Sequence, residues 1–194
     1  MRKSFFKAIS VMLISAILSL VSFSNFSAAN VTEPAAASEN KVLESRFLNM
    51  LNHNYVYNDS FNSLEEIVND SVIALLDMRD REDDSFVADY IVNAYLYDMY
   101  GITIDDFSAI NPTFPQKEGY VFIIPRGYSL YDHEAISLNK NEDGTYTFIT
   151  KVTIRTHDGS VAVLQAETLF VKNPASKFGY NIVFSNISDK ALNI

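Results

Sequence analysis

The spacing of apolar residues changes along this chain from a helical period to a period of two, and the second pattern is the clearer. Between Thr145 and Arg155, four apolar residues (Tyr146, Phe148, Val152 and Ile154) fall at alternate positions, with threonine and basic residues at most of the positions between them. A period of two is typical of a half-buried β-strand. The sequence His157-Asp158-Gly159 then predicts a hairpin, because glycine adopts positive φ without steric cost. The second strand of this hairpin should end near Lys172.

The first half of that second strand differs from its partner. Val161, Ala162, Val163 and Leu164 are apolar without alternation. A strand that is apolar on both faces is typical of one covered on both sides. We therefore predict that the two strands form the centre of a sheet and that residues 161–164 are covered on both faces.

Helical periodicity precedes these strands. Apolar residues predict a first helix over residues 41–52 and a second helix that begins after Ser63. The sequence Ser63-Leu64-Glu65-Glu66 fits a capping box, in which serine and glutamate satisfy free amide groups of the first turn. A third helix is predicted from Ser85 to Tyr100, capped by Asp84 and ended by Gly101.

Shorter extended segments surround the central hairpin. They are predicted at residues 120–124, 129–132, 135–140 and 180–187, with a bend or bulge at Arg126-Gly127-Tyr128. Helices followed by an antiparallel meander predict an α+β fold with about three N-terminal helices packed on a curled antiparallel sheet. The nearest analogies are the cystatin-like and nuclear-transport-factor-like folds, whose sheets form a cone with an open end.

The N-terminus has the layout of an export signal. Basic residues at positions 2, 3 and 7 precede an apolar run that ends in small side chains. This pattern predicts a signal peptide over residues 1–29, with cleavage before Asn30 or near residues 35–37. The alternative is an uncleaved membrane anchor, although serines interrupt the run. We expect a linker over 30–40 and a single domain over 41–194, helical over 41–110 and sheet over 111–194. The mature protein would be secreted or in the cell wall, without a stable membrane anchor.

Charge is distributed unevenly along the predicted domain. Residues 40–110 contain four basic and fourteen acidic side chains, whereas residues 111–194 contain eight of each. An acidic half argues against nucleic acid or an anionic membrane as a partner, since both require a basic surface. The chain has no cysteine, so disulfides, thiol catalysis and cysteine zinc sites are excluded.

Candidate catalytic and metal-binding patterns are weak. His53, His133 and His157 are not spaced for one metal ion. Ser137 and Lys140 match Ser-x-x-Lys, but that pair needs a helical turn and lies in a predicted strand. Residues 139–144 imitate a calcium loop whose twelfth position is Thr150 instead of an acid. We predict neither a metal nor a cofactor, and a non-enzymatic protein.

Two sets of residues are candidates for binding. Asp80, Glu82, Asp83 and Asp84 are interleaved with arginines at a predicted helix–helix turn, either as a solvated surface or as a contact patch for a basic partner. Asp105 and Asp106 are an alternative acid pair for acid–base chemistry. Arg126, Tyr128 and Tyr131 could line a pocket at the mouth of the sheet, or Arg126 could pair with Asp132 or Glu134.

The order of these features is similar to that of a known family. The features are an export signal, the sequence Tyr55-Val56-Tyr57, a polar break, the capped helix from Ser63, a further helix and a final antiparallel sheet, without any cysteine. In this order of features the chain resembles the bacterial cell-wall DL-endopeptidase inhibitors. This resemblance implies a secreted inhibitor that binds a peptidoglycan hydrolase and restrains autolysis. It assigns no contact residue.

The leading hypothesis is therefore an exported monomer that binds and inhibits a cell-wall endopeptidase, with residues 80–84 attracting a basic partner. The alternative is an exported small-ligand-binding module that uses the concave face of the sheet. A structural component of the cell envelope is a third possibility. A deep polar cavity inside the sheet would favour the second hypothesis, and a filled core would favour a surface site.

Overall fold

The structure is a computed structural model that describes residues 34–75, 81–83, 85–122, 130–156 and 158–188. The predicted signal peptide lies outside these residues. From Ala35 onward the described residues belong to one unit. The predicted α+β class is confirmed, because helices precede most of the strands and both sheets are antiparallel.

Three α-helices and seven β-strands make up the described fold. In chain order they are α1 (Pro34–Leu51), α2 (Leu64–Ser71), β1 (Arg81–Asp83), β2 (Phe86–Ala88), α3 (Asp89–Tyr100), β3 (Tyr120–Phe122), β4 (Leu130–Lys140), β5 (Tyr146–Arg155), β6 (Val161–Lys172) and β7 (Tyr180–Ser188). Short 3-10 helices lie at Asn58–Asn62, Val72–Leu75 and Phe107–Ala109.

The strands form two separate antiparallel sheets. The smaller sheet has the order β1-β2-β3, and the larger sheet is the meander β4-β5-β6-β7. The hairpin predicted between residues 145 and 172 is therefore the centre of the larger sheet. Gly159 closes it with φ of +84°, as the turn sequence predicts.

The first helix begins earlier than predicted. It starts at Pro34 instead of residue 41, so part of the predicted linker is helical. Proline is well suited to the first position of a helix, and the alanines that follow it have the highest helix propensity. The composition of residues 34–40 therefore favours a helix, although it lacks the bulky apolar residues that made the later turns recognisable.

The second helix has its predicted start but a tighter end. The Ser63 hydroxyl accepts a hydrogen bond from the amide of Glu66 at 3.4 Å, as a capping serine does. The α-helix ends at Ser71 and continues as a 3-10 turn to Leu75. Of the apolar stripe that the sequence indicates for this helix, Ile67, Val68, Val72 and Leu75 are buried, whereas Leu64 is 42% exposed.

The prediction for the third helix is wrong in its first turn. Phe86–Ala88 forms a strand and the helix begins at Asp89, after Ala88, which makes no side-chain cap. Phe86, Val87 and Ala88 pair with residues 122, 121 and 120 of β3. Aromatic and β-branched residues occur in both helices and strands. Here the pairing with β3, which is distant in the sequence, determines that the segment is a strand. The helix ends as predicted at Gly101, whose φ is +70°.

Phe47 is the centre of the core between α1 and the larger sheet. Its fully buried ring stacks on Phe170 of β6 with centroids 4.0 Å apart and an interplanar angle of 5°. It meets the edges of Tyr146 on β5 and Tyr180 on β7, and contacts Phe148 at 6.0 Å. One helical side chain therefore contacts three neighbouring strands.

Asn181 attaches the last strand to the end of α3. Its side-chain amide donates hydrogen bonds to the carbonyls of Tyr97 and Asp98, at 2.8 and 3.1 Å. The contact is close enough that a Cβ on Gly101 would lie 3.1 Å from the Asn181 Oδ1 atom. Position 101 therefore favours glycine for two reasons: the helix ends there in the left-handed conformation, and β7 approaches too closely for a Cβ.

Two predictions about the larger sheet need correction. The two extended pieces predicted before residue 141 are one continuous strand, β4, with an irregularity between Ala135 and Ser137. Residues 161–163 are exposed instead of covered on both faces, although they pair with residues 155–153 of β5. In the part of the chain that the structure describes, no helix is long and apolar enough to cross a membrane.

The substitution Phe47→Ala should strongly destabilise the fold. It removes a ring that contacts three strands, and large-to-small changes of buried phenylalanine cost about 3–5 kcal/mol of unfolding free energy. Chemical denaturation measures this value. Val42→Ala, at a mostly exposed position of the same helix, should change it by less than about 0.5 kcal/mol. Similar losses for both variants would contradict this account of the core.

Asn181→Ala should also destabilise the protein, by about 1–3 kcal/mol, because two carbonyls of α3 lose their donor. Asn139→Ala, at an exposed position on β4, is the matched control and should have little effect. The same denaturation experiment compares the two. An Asn181 variant as stable as the control would show that other donors form hydrogen bonds with the carbonyls at the end of α3.

Candidate functional site

The predicted acidic patch lies mostly outside the described residues. Asp80 and Asp84 are not described, and Glu82 and Asp83 belong to β1. The prediction of a helix–helix turn here is wrong, because Arg81–Asp83 pairs antiparallel with β2. This pairing gives Arg81–Asp83 an extended backbone, with an irregularity between Arg81 and Asp83, that the composition did not indicate.

A different set of acidic residues lines an open groove. The groove has a volume of about 350 Å³ and is formed where the N-terminus of α3 meets two loops. Its acidic lining residues are Asp89, Asp105, Asp106 and Glu118, and its other lining residues include Phe107, Gln116, Lys117 and Tyr120. Three separate segments of the chain therefore bring four carboxylates to one concavity.

Helix α3 positions the first wall of the groove. Asp89 and Asn93 lie four residues apart and so share one face of this helix. The Asn93 side chain donates to the carbonyl of Ile104 at 2.9 Å and accepts from its amide at 2.8 Å. This double hydrogen bond holds the backbone that leads directly into Asp105 and Asp106 beside the helix.

The second wall is the turn that precedes β3. The amide of Asp89 donates to the carbonyl of Gly119 at 3.0 Å, which fixes the turn against the first residue of α3. Gly119 has φ of +76°, a conformation that glycine adopts at no steric cost. The Lys117 ammonium lies 4.7 Å from the ring centroid of Tyr120 and 5.6 Å from that of Phe86. The turn thus presents Glu118 to the groove while the lysine chain lies over aromatic rings.

Asp106 is held as a charged residue. Its carboxylate accepts hydrogen bonds from the hydroxyl and the amide of Ser108, and these bonds lower the pKa of Asp106. Acid–base catalysis by a carboxylate pair requires one member with a raised pKa. The environment of Asp106 has the opposite effect, so Asp106 is not that member and is suited to attracting a cation.

The predicted pocket is described at only one of its residues. Arg126 and Tyr128 lie outside the described residues. Tyr131 stacks on Tyr57 with centroids 5.0 Å apart and meets Tyr55 edge to face at 5.8 Å. Its ring is therefore packed between aromatic residues of the segment that follows α1, and burial raises the pKa of its hydroxyl.

The two carboxylates considered as partners of Arg126 contact other basic residues. Glu134 lies 2.9 Å from Lys151, and Asp132 lies 3.7 Å from Arg155. Both pairs join β4 to β5 across the exposed face of the sheet. They are partly exposed and contribute little to stability.

Sequence reasoning missed a buried polar cluster around His133. The Nε2 atom of this histidine lies 3.0 Å from the Tyr57 hydroxyl, and its Nδ1 atom lies 2.9 Å from the Thr150 hydroxyl. All three residues are buried. Burial lowers the pKa of His133 to about 4 and raises the pKa of Tyr57, so both are neutral at pH 7. The alternation of side chains along β4 and β5 places positions 133 and 150 on the inner face of the sheet. This alternation is the sequence signal from which their burial could have been predicted.

The remaining weak motifs have structural explanations. In the loop that imitates a calcium site, the Asp143 carboxylate accepts hydrogen bonds from Thr145. Thr150, the twelfth position of that motif, is wholly buried beside His133. Ser137 and Lys140 both lie on β4, as the strand prediction requires. Across the described ranges, no group of three acidic or histidine side chains is arranged to hold a metal ion.

The low pKa of His133 predicts a pH-dependent stability. The unfolded chain has a histidine pKa near 6.5, so between pH 6.5 and 4 the unfolded state binds more protons and stability falls as the pH is lowered. Between pH 7.5 and pH 5 this group should remove about 2 kcal/mol of unfolding free energy. Denaturation at both pH values should show this loss in the wild type and in His53→Gln, but not in His133→Gln. Equal losses in all three would exclude His133 as the source.

Comparisons with known proteins add no relative to this description. No family model, no curated protein and no solved structure matches the chain. The interpretation of the site therefore depends on the geometry and charge of its own residues.

Proposed function

We propose that this protein is an exported, non-enzymatic binding protein that recognises a basic segment of another protein in the acidic groove. The observation that carries this proposal is the convergence of Asp89, Asp105, Asp106 and Glu118 on one open concavity. Lys117 is the one basic residue among the groove's lining residues, so the groove has a net negative charge. An open groove of this charge suits the side chains of lysine and arginine.

The position of the groove supports selective binding. Its walls are fixed to α3 by backbone contacts at Ile104 and Gly119, so its shape does not depend on the ligand. A preformed site loses little conformational freedom when it binds. The proposed site is centred on the residues of the acidic groove, which the structure describes, instead of on the predicted contact residues at 80–84.

The class of partner follows from the sequence. The predicted export signal places the partner outside the cytoplasm, and the resemblance to DL-endopeptidase inhibitors implies a cell-wall hydrolase. We therefore propose an endopeptidase with a basic surface near its cleft, whose activity falls when this protein is bound. Long-range attraction between opposite charges would increase the association rate.

The small-ligand hypothesis receives less support from the described residues. The space between α1 and the larger sheet is filled by the stacked and edge-packed rings around Phe47. The Nε2 atom of His133 and the hydroxyl of Tyr57 form a hydrogen bond with each other. A filled inner face favours a binding site on the surface, which is where the acidic groove lies.

Neutralising the groove should weaken inhibition. Asp105→Asn combined with Glu118→Gln removes two charges without touching the Ser108 contact of Asp106 or the Gly119 contact of Asp89. We expect the dissociation constant for a co-secreted endopeptidase, captured on the immobilised wild-type chain, to rise about tenfold, which corresponds to about 1.4 kcal/mol. Binding is measured by calorimetry and inhibition by peptidoglycan hydrolysis.

The matched control is Glu65→Gln combined with Glu142→Gln, which removes the same charge from exposed positions away from the groove. This control should bind within about twofold of the wild type. Increasing salt should weaken the wild type more than the groove variant, since salt screens exposed charges. If no secreted hydrolase binds the wild-type chain, the partner class is wrong. Equal weakening in both variants would show that net charge matters and the groove does not.

A further inference from the structure

Strand β4 buries less of its side-chain surface than the central strands of the larger sheet. Of its eleven residues, His133 is buried and all the others are exposed or half-buried. Strands β5 and β6 each bury three side chains. Because burial of side chains supplies most of the stability of a packed strand, the attachment of β4 depends on its backbone pairing with β5 and on His133.

An irregularity divides β4 into two parts. Residues 130–135 pair with residues 155–150 of β5 without interruption, and the register shifts before Ser137. A bulge disrupts the ladder locally, so the pairs on its two sides are partly independent. Residues 130–135, which include His133, can therefore separate from β5 while the pairs beyond Ser137 persist.

His133 connects residues 130–135 to two other segments. Its Nδ1 atom lies 2.9 Å from the Thr150 hydroxyl of β5, and its Nε2 atom lies 3.0 Å from the Tyr57 hydroxyl of the segment that follows α1. A neutral imidazole donates from one nitrogen and accepts at the other, whereas a protonated ring only donates. Protonation therefore removes the acceptor that one of the two hydroxyls uses.

The inner side of the sheet offers no described carboxylate to a protonated His133. The titratable groups there are the hydroxyls of Tyr57 and Tyr131, and burial raises the pKa of both. Asp70 of α2 acts electrostatically on Tyr131. A proton on His133 therefore creates a buried charge without a counter-ion among the described residues, and such a charge is costly.

The charges on the outer face of residues 130–135 do not compensate for this cost. Asp132 lies 3.7 Å from Arg155, and Glu134 lies 2.9 Å from Lys151. Alternation directs both carboxylates away from the His133 ring. Asp132 favours the charged form of His133, but desolvation has the larger effect. Since both ion pairs are partly exposed, they also contribute little to the attachment of the strand.

We propose that residues 130–135 form an acid-released segment: protonation of His133 detaches them from β5 while β5, β6 and β7 stay paired. Detachment brings the charged ring into water, which removes the cost of burying it. It also uncovers the ring of Tyr57 and the side of β5 that pairs with β4. The loss of stability in acid expected for His133 thus begins as a local opening at this segment.

Native-state hydrogen exchange of the full chain at pH 7.5 and pH 5, with low concentrations of urea, tests this proposal. After correction for intrinsic exchange rates, the opening constant of residues 130–135 should rise about thirtyfold from pH 7.5 to pH 5, because opening raises the pKa of His133 from about 4 to about 6.5. Their exchange should depend little on urea, since a local opening exposes little surface.

The matched reference lies in the same molecule. The amides of Ala166, Thr168 and Phe170, at buried positions of β6, should exchange more slowly and with the full urea dependence of global unfolding. This comparison needs no variant. The proposal is overturned if residues 130–135 and these three amides share one exchange free energy and one urea dependence at pH 5.

A pair of variants assigns the effect to His133. His133→Gln keeps a side chain that donates and accepts hydrogen bonds but does not titrate in this range, so residues 130–135 should have the same opening constant at both pH values. His53→Gln, at an exposed position, should retain the thirtyfold change. An opening constant that is independent of pH in the wild type overturns the proposal, and so does a pH dependence that persists in His133→Gln.

Discussion

The stacking of Phe47 on Phe170 is the contact on which the rest of the fold depends. A sheet of four strands has one face that must be covered, and α1 provides that cover through a ring that reaches β5, β6 and β7 together. Because the chain has no disulfide, this packing has no covalent support. The inner face is consequently filled with aromatic side chains.

The sequence predicted the fold class, the central hairpin, the capped helix at Ser63 and the helix end at Gly101. Each of these follows from local rules, because an alternating pattern or a capping residue acts within a few positions of itself. Residues 86–88 were wrongly assigned to a helix because their strand depends on Tyr120–Phe122, more than thirty positions away. The prediction that residues 161–164 are covered on both faces is wrong at 161–163, because an apolar run does not by itself indicate which element packs against it.

The candidate site was only partly predictable for the same reason. Asp105 and Asp106 were noticed as a pair of acids, but Asp89 and Glu118 join them only because Asn93 and Gly119 bring two loops to one helix end. The buried cluster of His133 was not predicted, since nothing local in the sequence indicates that Tyr57 is near it. The exported character and the hydrolase partner remain predictions from the N-terminal pattern and the family resemblance.

The hydrogen bonds from Asn181 to the carbonyls of α3 also constrain when the protein can fold. They join residues more than eighty positions apart, and Asn181 follows all three α-helices along the chain. A nascent chain emerges N-terminus first, so the helices are complete long before the last turn of α3 can be satisfied. The domain therefore acquires its full stability only after β7 has been synthesised, and the long-range pairing makes its folding slow relative to that of a helical bundle.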